Sequence, residues 1–190
     1  MTTAWPIDFE AFENAIHSWF SDATGLETVW RQQSAPQPEH PYGSLQVIAG
    51  PTPESPAWDE RCDTDLTRPR GQEIHEELVV PAQVTVSCQV HVPMPDARNP
   101  GYNAVSYVQR ALGALAKPTV TDALRAAGVA VVRHGPVQNL NEVIEDAFES
   151  RANIDVIFRV SLTEDDYVGY IAKINAESTT LGIDQEFGIL

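Results

Sequence analysis

Two long stretches of the chain alternate apolar and polar residues, and this pattern constrains the fold more than any other feature. In the run 78–92 one parity is apolar and the other is mainly polar, and residues 151–162 repeat the pattern more cleanly. Successive residues of a strand point to opposite faces of its sheet. Each run therefore predicts a strand with one face in the core and the other largely solvated.

Helical patterns surround these strands. Apolar residues recur at helical spacing after Asp8, a predicted N-cap, and Gly25 predicts the end of that helix. A second helix is predicted from Tyr102, and Pro118 separates it from a third at 119–127. We expect an α+β fold, with a mostly antiparallel or mixed β-sheet and two to three helices packed on one face. Pro81 is expected to bend or break the first of the two alternating runs near a sheet edge. A short buried strand is predicted over 129–132, a polar connection over 163–166 and the next strand over 167–174.

Length and composition predict one folded domain spanning residues 1–190. The chain is 43% hydrophobic and shows no internal repeat, which suits a single core of this size. The stretch from Ala49 to Gln72 holds four prolines and several acidic residues without apolar periodicity. Such length without periodicity predicts a projecting Pro/acid-rich loop at about 49–72, either functional or a disordered insertion.

The charge balance is strongly acidic. The 27 acidic residues outnumber the 12 basic residues, giving a formal net charge of −15. Nucleic-acid affinity depends largely on neutralised phosphates, so tight nucleic-acid binding is disfavoured. The acidity fits either simple solubility or a surface that DNA passes without adhering. No apolar run approaches the roughly 20 residues of a membrane span. With only two cysteines, we expect a reduced cytoplasmic origin.

No residue pattern indicates catalysis, a cofactor or a metal. Cys88 and His91 have half of a metal-site spacing, but in a strand they project to opposite faces. His134 follows a predicted buried strand without an evident nucleophile partner, so a small hydrolase centred on it is only an alternative. The acids at 142–146 and 164–166 are interpreted as solvated turns. We therefore predict a protein that is not an enzyme.

The segment from Trp30 to Leu45 predicts a contact surface. Its prolines fix an extended, polyproline-like connector, bracketed by the rings of Trp30 and Tyr42. We expect Tyr42 to face outward and Trp30 inward. The candidate interface residues are Trp30, Pro36, Pro38, Tyr42, Trp58 and Tyr170.

Several short motifs, in order along the chain, resemble a known family. At the N-terminal side they are Val29-Trp30, Pro36-x-Pro38, Pro41-Tyr42 and Leu45-Gln46-Val47. At the C-terminal side they are Phe148-Glu149-Ser150-Arg151 and Val168-Gly169-Tyr170-Ile171. Together they resemble the tailed-bacteriophage neck and tail terminator proteins, which join head and tail and form rings.

The resemblance implies a structural virion protein of the neck or tail, assembled in the host cytoplasm. Its subunits would form a homo-oligomeric, typically hexameric ring that caps the tail tube and joins it to the head connector. The implied partners are further copies of the chain, the tail tube protein and a head–tail connector or neck protein. DNA would pass through the ring without tight binding. Another head-completion or minor tail subunit is the alternative.

Overall fold

The computed structural model describes the following residues: 8–31, 38–54, 59–65, 67–69, 72, 74–93, 103–144, 147–168, 173–178 and 183–188. Side chains are described for these except at 59–60, at 142–148 and from 168 onward. The chain divides into two compact units, unit 1 (Met1–Pro56 and Val80–Leu162) and unit 2 (Ala57–Val79 and Thr163–Leu190). The expected single domain over 1–190 stays a prediction.

Three helices belong to unit 1, namely α1 (Phe9–Thr24), α2 (Ala104–Leu115) and α3 (Pro118–Ala126). The Asp8 side chain accepts a hydrogen bond from the Ala11 amide, and Gly25 ends α1 at φ 73°, in the left-handed region that favours glycine. Pro118 occupies the first turn of α3, where no amide donor is required. In the described part of the chain, no helix combines the length and apolar character needed to cross a membrane.

The described strands are β1 (Glu27–Trp30), β2 (Tyr42–Pro53), β3 (Asp59–Thr64), β4 (Ile74–Pro93), β5 (Ala130–His134), β6 (Gln138–Asn139), β7 (Glu142–Ile144), β8 (Ala147–Val168), β9 (Lys173–Ser178) and β10 (Ile183–Gly188). In unit 1 the sheet order is β1-β2-β4-β8-β5, and β6 and β7 pair with β8 as well. β1 is parallel to β2, whereas the β2–β4 and β5–β8 pairs are antiparallel. The predicted α+β fold with a mixed sheet is confirmed.

The core of unit 1 lies between the helices and one face of this sheet. Alternate residues of β4 from Val80 to Val92 are at most 1% exposed. The rings of Phe12 and Trp19 on α1 meet Phe158 of β8 edge-on, with centroids 6.1 and 5.9 Å away. The Trp19 indole also donates to the Ala111 carbonyl at 3.2 Å, which ties α1 to α2. The alternating pattern read from the sequence is therefore the face that the helices cover.

Glycine at position 43 allows α1 to lie close to β2. A Cβ atom at Gly43 would lie 2.8 Å from Thr28 Oγ1 and 2.9 Å from the Phe20 ring. Real Cβ atoms do not approach other atoms this closely, so any side chain here would push the helix away.

Several predicted boundaries were wrong. Pro81 was expected to bend or break its strand, yet β4 runs through it. The reason is that the β2 ladder ends at Ala82 and the β3 ladder begins at Val79, so neither ladder uses an amide at position 81. The strand near 129–132 is β5, which is largely exposed rather than buried.

Two polar stretches are strands rather than connections. Residues 163–166 continue β8 up to Val168. The predicted loop at 49–72 contains the end of β2 and the whole of β3, which pairs antiparallel with β4 over 74–79. Polar strands of this kind carry no apolar alternation, so sequence pattern does not reveal them. Whether the segment projects stays a prediction.

Unit 2 contains β3, the outer parts of β4 and β8, and the antiparallel hairpin of β9 and β10. His75 hydrogen-bonds to the Asp165 carboxylate at 2.8 Å and stacks on the ring of Tyr167. The Arg68 guanidinium lies over the same ring, 5.7 Å from the Tyr167 centroid, and pairs with Asp65 at 3.6 Å. Charged and aromatic side chains, rather than aliphatic packing, dominate the described contacts here.

Candidate functional site

The predicted interface residues that the structure describes are mostly buried. Trp30 is 6% exposed and lies in the core, as expected. The expectation that Tyr42 faces outward was wrong, because it is 7% exposed and its ring stacks on His91 with 4.5 Å between centroids. Pro38 is half-buried. Pro36, Trp58 and Tyr170 lie outside the described residues, and an interface role for all six candidates stays a prediction.

The sheet face opposite the helices carries a buried polar cluster that the sequence analysis missed. Its members are each at most 8% exposed: Ser44, Ser87, Gln89, His91, Glu149 and Asn153. The alternation had predicted this face to be largely solvated. At the Pro93 end of β4 it is buried, whereas Arg159 and Ser161 further along β8 are exposed. We refer to these six residues as the polar cluster.

His91 is the centre of the polar cluster. Its Nδ1 lies 2.8 Å from Glu149 Oε1, and its Nε2 lies 3.4 Å from Ser44 Oγ. Because a carboxylate only accepts, Nδ1 carries the hydrogen and donates to Glu149, and Nε2 then accepts from the Ser44 hydroxyl. His40 Nδ1 approaches the same carboxylate oxygen at 3.8 Å. The Glu149 carboxylate therefore lies between two imidazoles.

Burial lowers the pKa of His91. The hydrogen bond and negative charge of Glu149 act in the opposite direction, while the charges of Arg151 and Arg31 lower this pKa further. Desolvation is the largest cause, so His91 is neutral at pH 7. This protonation state agrees with the donor and acceptor roles that the neighbours require.

Ser44, His91 and Glu149 have the order of a nucleophile, a base and an orienting acid. Ser44 is only 3% exposed, so a substrate carbonyl cannot reach its hydroxyl in this arrangement. The three side chains instead satisfy one another's hydrogen-bonding groups across β2, β4 and β8. In the described structure these mutual hydrogen bonds offset the cost of burying the three polar side chains.

Arginine side chains extend the polar cluster towards β1. Gln89 Oε1 accepts from Arg31 Nη1 at 3.3 Å and from Arg151 Nη2 at 2.6 Å. Ser87 donates to Asn153 Oδ1 at 2.7 Å. These bonds join residues that are about 60 positions apart in the sequence, and they fix how β1, β4 and β8 align on this face.

The two edges of the unit 1 sheet differ. In the described chain, β1 and β5 each pair with a strand on one side only. Arg31 N donates to Leu45 O, so by alternation the Thr28 carbonyl points away from β2. His17 of α1 binds that carbonyl at 2.8 Å, so an outward-facing acceptor of β1 is occupied. On β5, by contrast, Val132 is 38% exposed at a bulge, beside exposed Arg133 and His134.

A groove of about 830 Å³ lies between α1 and the α2–α3 region. Alanine dominates its lining, and its charged residues are Asp22 and Lys117. The described lining includes neither histidine nor cysteine, which are the usual base and thiol nucleophile of hydrolytic sites.

The remaining catalytic candidates are separate from one another. His134 is exposed, and its Nδ1 bonds the carbonyl of the adjacent Gly135 at 2.9 Å. Cys88 is fully buried on the helix side, and burial raises the pKa of its thiol, as does the charge of Asp155. Among the described residues, no group of three or more metal-binding side chains is placed to hold an ion.

The acidic residues at 142–146 and 164–166 do not form a catalytic site among the described side chains. Glu164, Asp165 and Asp166 lie exposed on the outer part of β8, where Asp165 pairs with His75. Side chains at 142–148 are outside the described set.

Comparison with known proteins assigns the chain to a family. No curated protein matches it significantly. The sequence profile of the phage neck terminator protein family matches residues 10–184, which is most of the chain and includes the motifs at both ends. The chain therefore belongs to the phage neck terminator protein family.

Proposed function

We propose that this chain is the subunit of a homo-oligomeric ring that caps the tail tube and joins it to the head connector. Family membership over residues 10–184 is the observation that carries the proposal. Membership supports a structural role in head–tail joining, in the virion neck, among other head and tail proteins. The family is structural rather than enzymatic.

The described geometry suits such a role. In unit 1 the helix-side face of the sheet is covered by apolar packing, and the polar cluster is satisfied by its own hydrogen bonds. Such a subunit is stabilised by its own internal contacts. Its contacts with neighbouring subunits then use strand edges and exposed surfaces, which change little when partners bind.

The distribution of charge supports passage of DNA without adhesion. Unit 2 carries 13 acidic and 4 basic residues, a net charge of −9, although it contains about a quarter of the chain. If unit 2 faces the ring lumen, its carboxylates repel phosphates across roughly one Debye length. Tight nucleic-acid binding would need the opposite charge.

Mixing the purified protein with polymerising tail tube protein tests the proposal. Light scattering should give a mass that is a multiple of the 20.9 kDa chain, and electron microscopy should show tubes shortened in proportion to added protein. Equal amounts of an unrelated acidic protein are the control. A monomer at every concentration, together with unchanged tube lengths, would contradict the proposal.

The same assay distinguishes the other structural candidate. A head-completion or minor tail subunit would bind the connector or another tail protein without arresting tube growth. Pull-down by connector and tube proteins, measured separately, therefore assigns the partner on each side.

A further inference from the structure

One segment of this acidic chain is basic. Residues 103–141, which include α2, α3, β5 and β6, contain a single acidic residue, Asp122. The basic residues of this segment are Arg110, Lys117, Arg125 and Arg133. All four are exposed, and Asp122 is already paired with Arg125 at 3.2 Å. We refer to residues 103–141 as the basic segment.

The basic segment ends in the uncovered edge of the unit 1 sheet. α3 packs against β5, and β5 presents Val132, Arg133 and His134 to solvent. Val132 falls within the register shift between Val131 and Arg133, and its side chain is exposed. An exposed valine beside an exposed arginine gives this edge an apolar contact and a positive charge, and arginine is enriched in protein interfaces.

A complementary edge exists in unit 2. In the described chain β3 pairs only with β4, and its residues 61–64 are exposed. Asp63 lies 3.8 Å from the Arg68 guanidinium yet is 73% exposed, next to exposed Cys62, within a unit whose net charge is −9. The single chain thus carries both halves of a charge-complementary pair, on different units.

We propose that the β5 edge of one copy receives the acidic β3 edge of a second copy, with Val132 and Arg133 of one subunit against Cys62 and Asp63 of the next. The two surfaces are different, so the contact is head-to-tail. Repetition of a head-to-tail contact closes a ring when the rotation allows it. The inference rests on the proposed ring function and names the surfaces that build the ring. Opposite charges also favour correct encounter over wrong pairing.

Cysteine cross-linking tests the contact directly. Val132→Cys introduces a thiol at the β5 edge, Cys62 supplies the native partner, and Cys88 is fully buried and does not compete. A short bis-maleimide should convert this variant into a ladder of linked subunits. Mass spectrometry should then identify the 132–62 peptide pair. The matched control is Ile48→Cys, which places a thiol at a residue that is 51% exposed in unit 1 but outside the basic segment.

A charge swap gives a second readout. Arg133→Glu should reduce the ladder and the ring mass at least several-fold, and adding Asp63→Lys should restore both. Raising ionic strength should weaken assembly of the native chain, because exposed charge pairs are screened. Failure of the double variant to recover, with both variants folded by circular dichroism, would overturn the pairing.

The remaining outcomes also distinguish the proposed contact from its alternatives. Equal linking of the Val132→Cys and Ile48→Cys variants overturns the proposal. Links between two copies of position 132 that persist in a Cys62→Ser background overturn it in favour of a two-fold contact. If tubes are capped without a 132–62 link, the ring function stands and this contact is wrong. If the link forms while tube length is unchanged, the contact stands and the capping role is wrong.

Discussion

The two faces of the unit 1 sheet are built from alternate residues of the same strands, yet they are held by different physical means. On the helix side, Val90 and Phe158 are fully buried among carbon atoms. On the other side, His91 and Glu149 are nearly as buried but make hydrogen bonds. Burial alone therefore does not say what stabilises a face of the sheet. The helix side is stabilised by close packing that fills its volume, whereas the polar side is stabilised only when each buried donor has an acceptor.

The largest effect is expected on the helix side. Phe158→Ala should lower the free energy of unfolding by about 3–5 kcal/mol, because it removes a fully buried ring and leaves a cavity beside Phe12 and Trp19. Chemical denaturation measures the change. Ser161→Ala, at an exposed position of the same strand, is the control and should change little. A small loss for Phe158→Ala would mean that the core repacks easily.

A smaller but more specific effect is expected in the polar cluster. Glu149→Leu should cost about 1–3 kcal/mol, because it leaves the His91 Nδ1–H buried without its acceptor. Adding His91→Phe removes that donor and keeps a ring against Tyr42, so the double variant should recover part of the loss. Denaturation of all three variants forms a double-mutant cycle. Simple additivity would contradict the pairing.

Acid should weaken the polar side more than the helix side. The pKa of His91 is lowered in the folded chain, so the unfolded chain takes up a proton first as pH falls below the ordinary value of about 6.5. Stability from this residue is therefore intact above that pH and is lost between it and the lower folded pKa. Thermal melting between pH 7.5 and 5 should show a smaller loss for His91→Phe than for the native chain. Equal losses would exclude His91 as the source.

The smallest effect is expected where the polar face reaches solvent. Arg159 pairs with Glu54 at 2.8 Å, and both side chains are accessible. Arg159→Ala should leave the unfolding curve nearly unchanged, because water and ions replace exposed pairs. A loss comparable to that of Glu149→Leu would show that this face is uniform along its length, against the graded burial described above.

Local signals in the sequence were sufficient for the helices and the apolar face. Asp8 and Gly25 act through neighbours within a few positions, and the Val80–Val92 alternation follows from strand geometry alone. The polar cluster was not predictable in the same way. His91 and Glu149 are 58 positions apart, so nothing near His91 indicates its acceptor. Serine, glutamine and histidine at alternate positions are equally typical of a wet strand face.

The polar strands were also not predictable from the sequence pattern. β3 has the sequence Asp-Glu-Arg-Cys-Asp-Thr, and its pairing with β4 supplies hydrogen bonds without apolar burial. Tyr167 was assigned to a separate strand, but its stacking on His75 belongs to the extended end of β8. Contacts between segments that are distant in the sequence determine the structure of these regions. A pattern based on hydrophobicity carries no information on such contacts.

The bond from His17 to the Thr28 carbonyl has a consequence for how safely the protein can accumulate. Exposed strand edges can recruit further strands and grow into insoluble fibres. In the described chain, His17 occupies an outward-facing carbonyl of β1, which hinders strand addition at that edge of the unit 1 sheet. A fibre built only from the β1 and β5 edges would need both of them, so this one bond limits such growth. Newly made subunits are thus less prone to aggregate through the β1 edge while they wait for assembly.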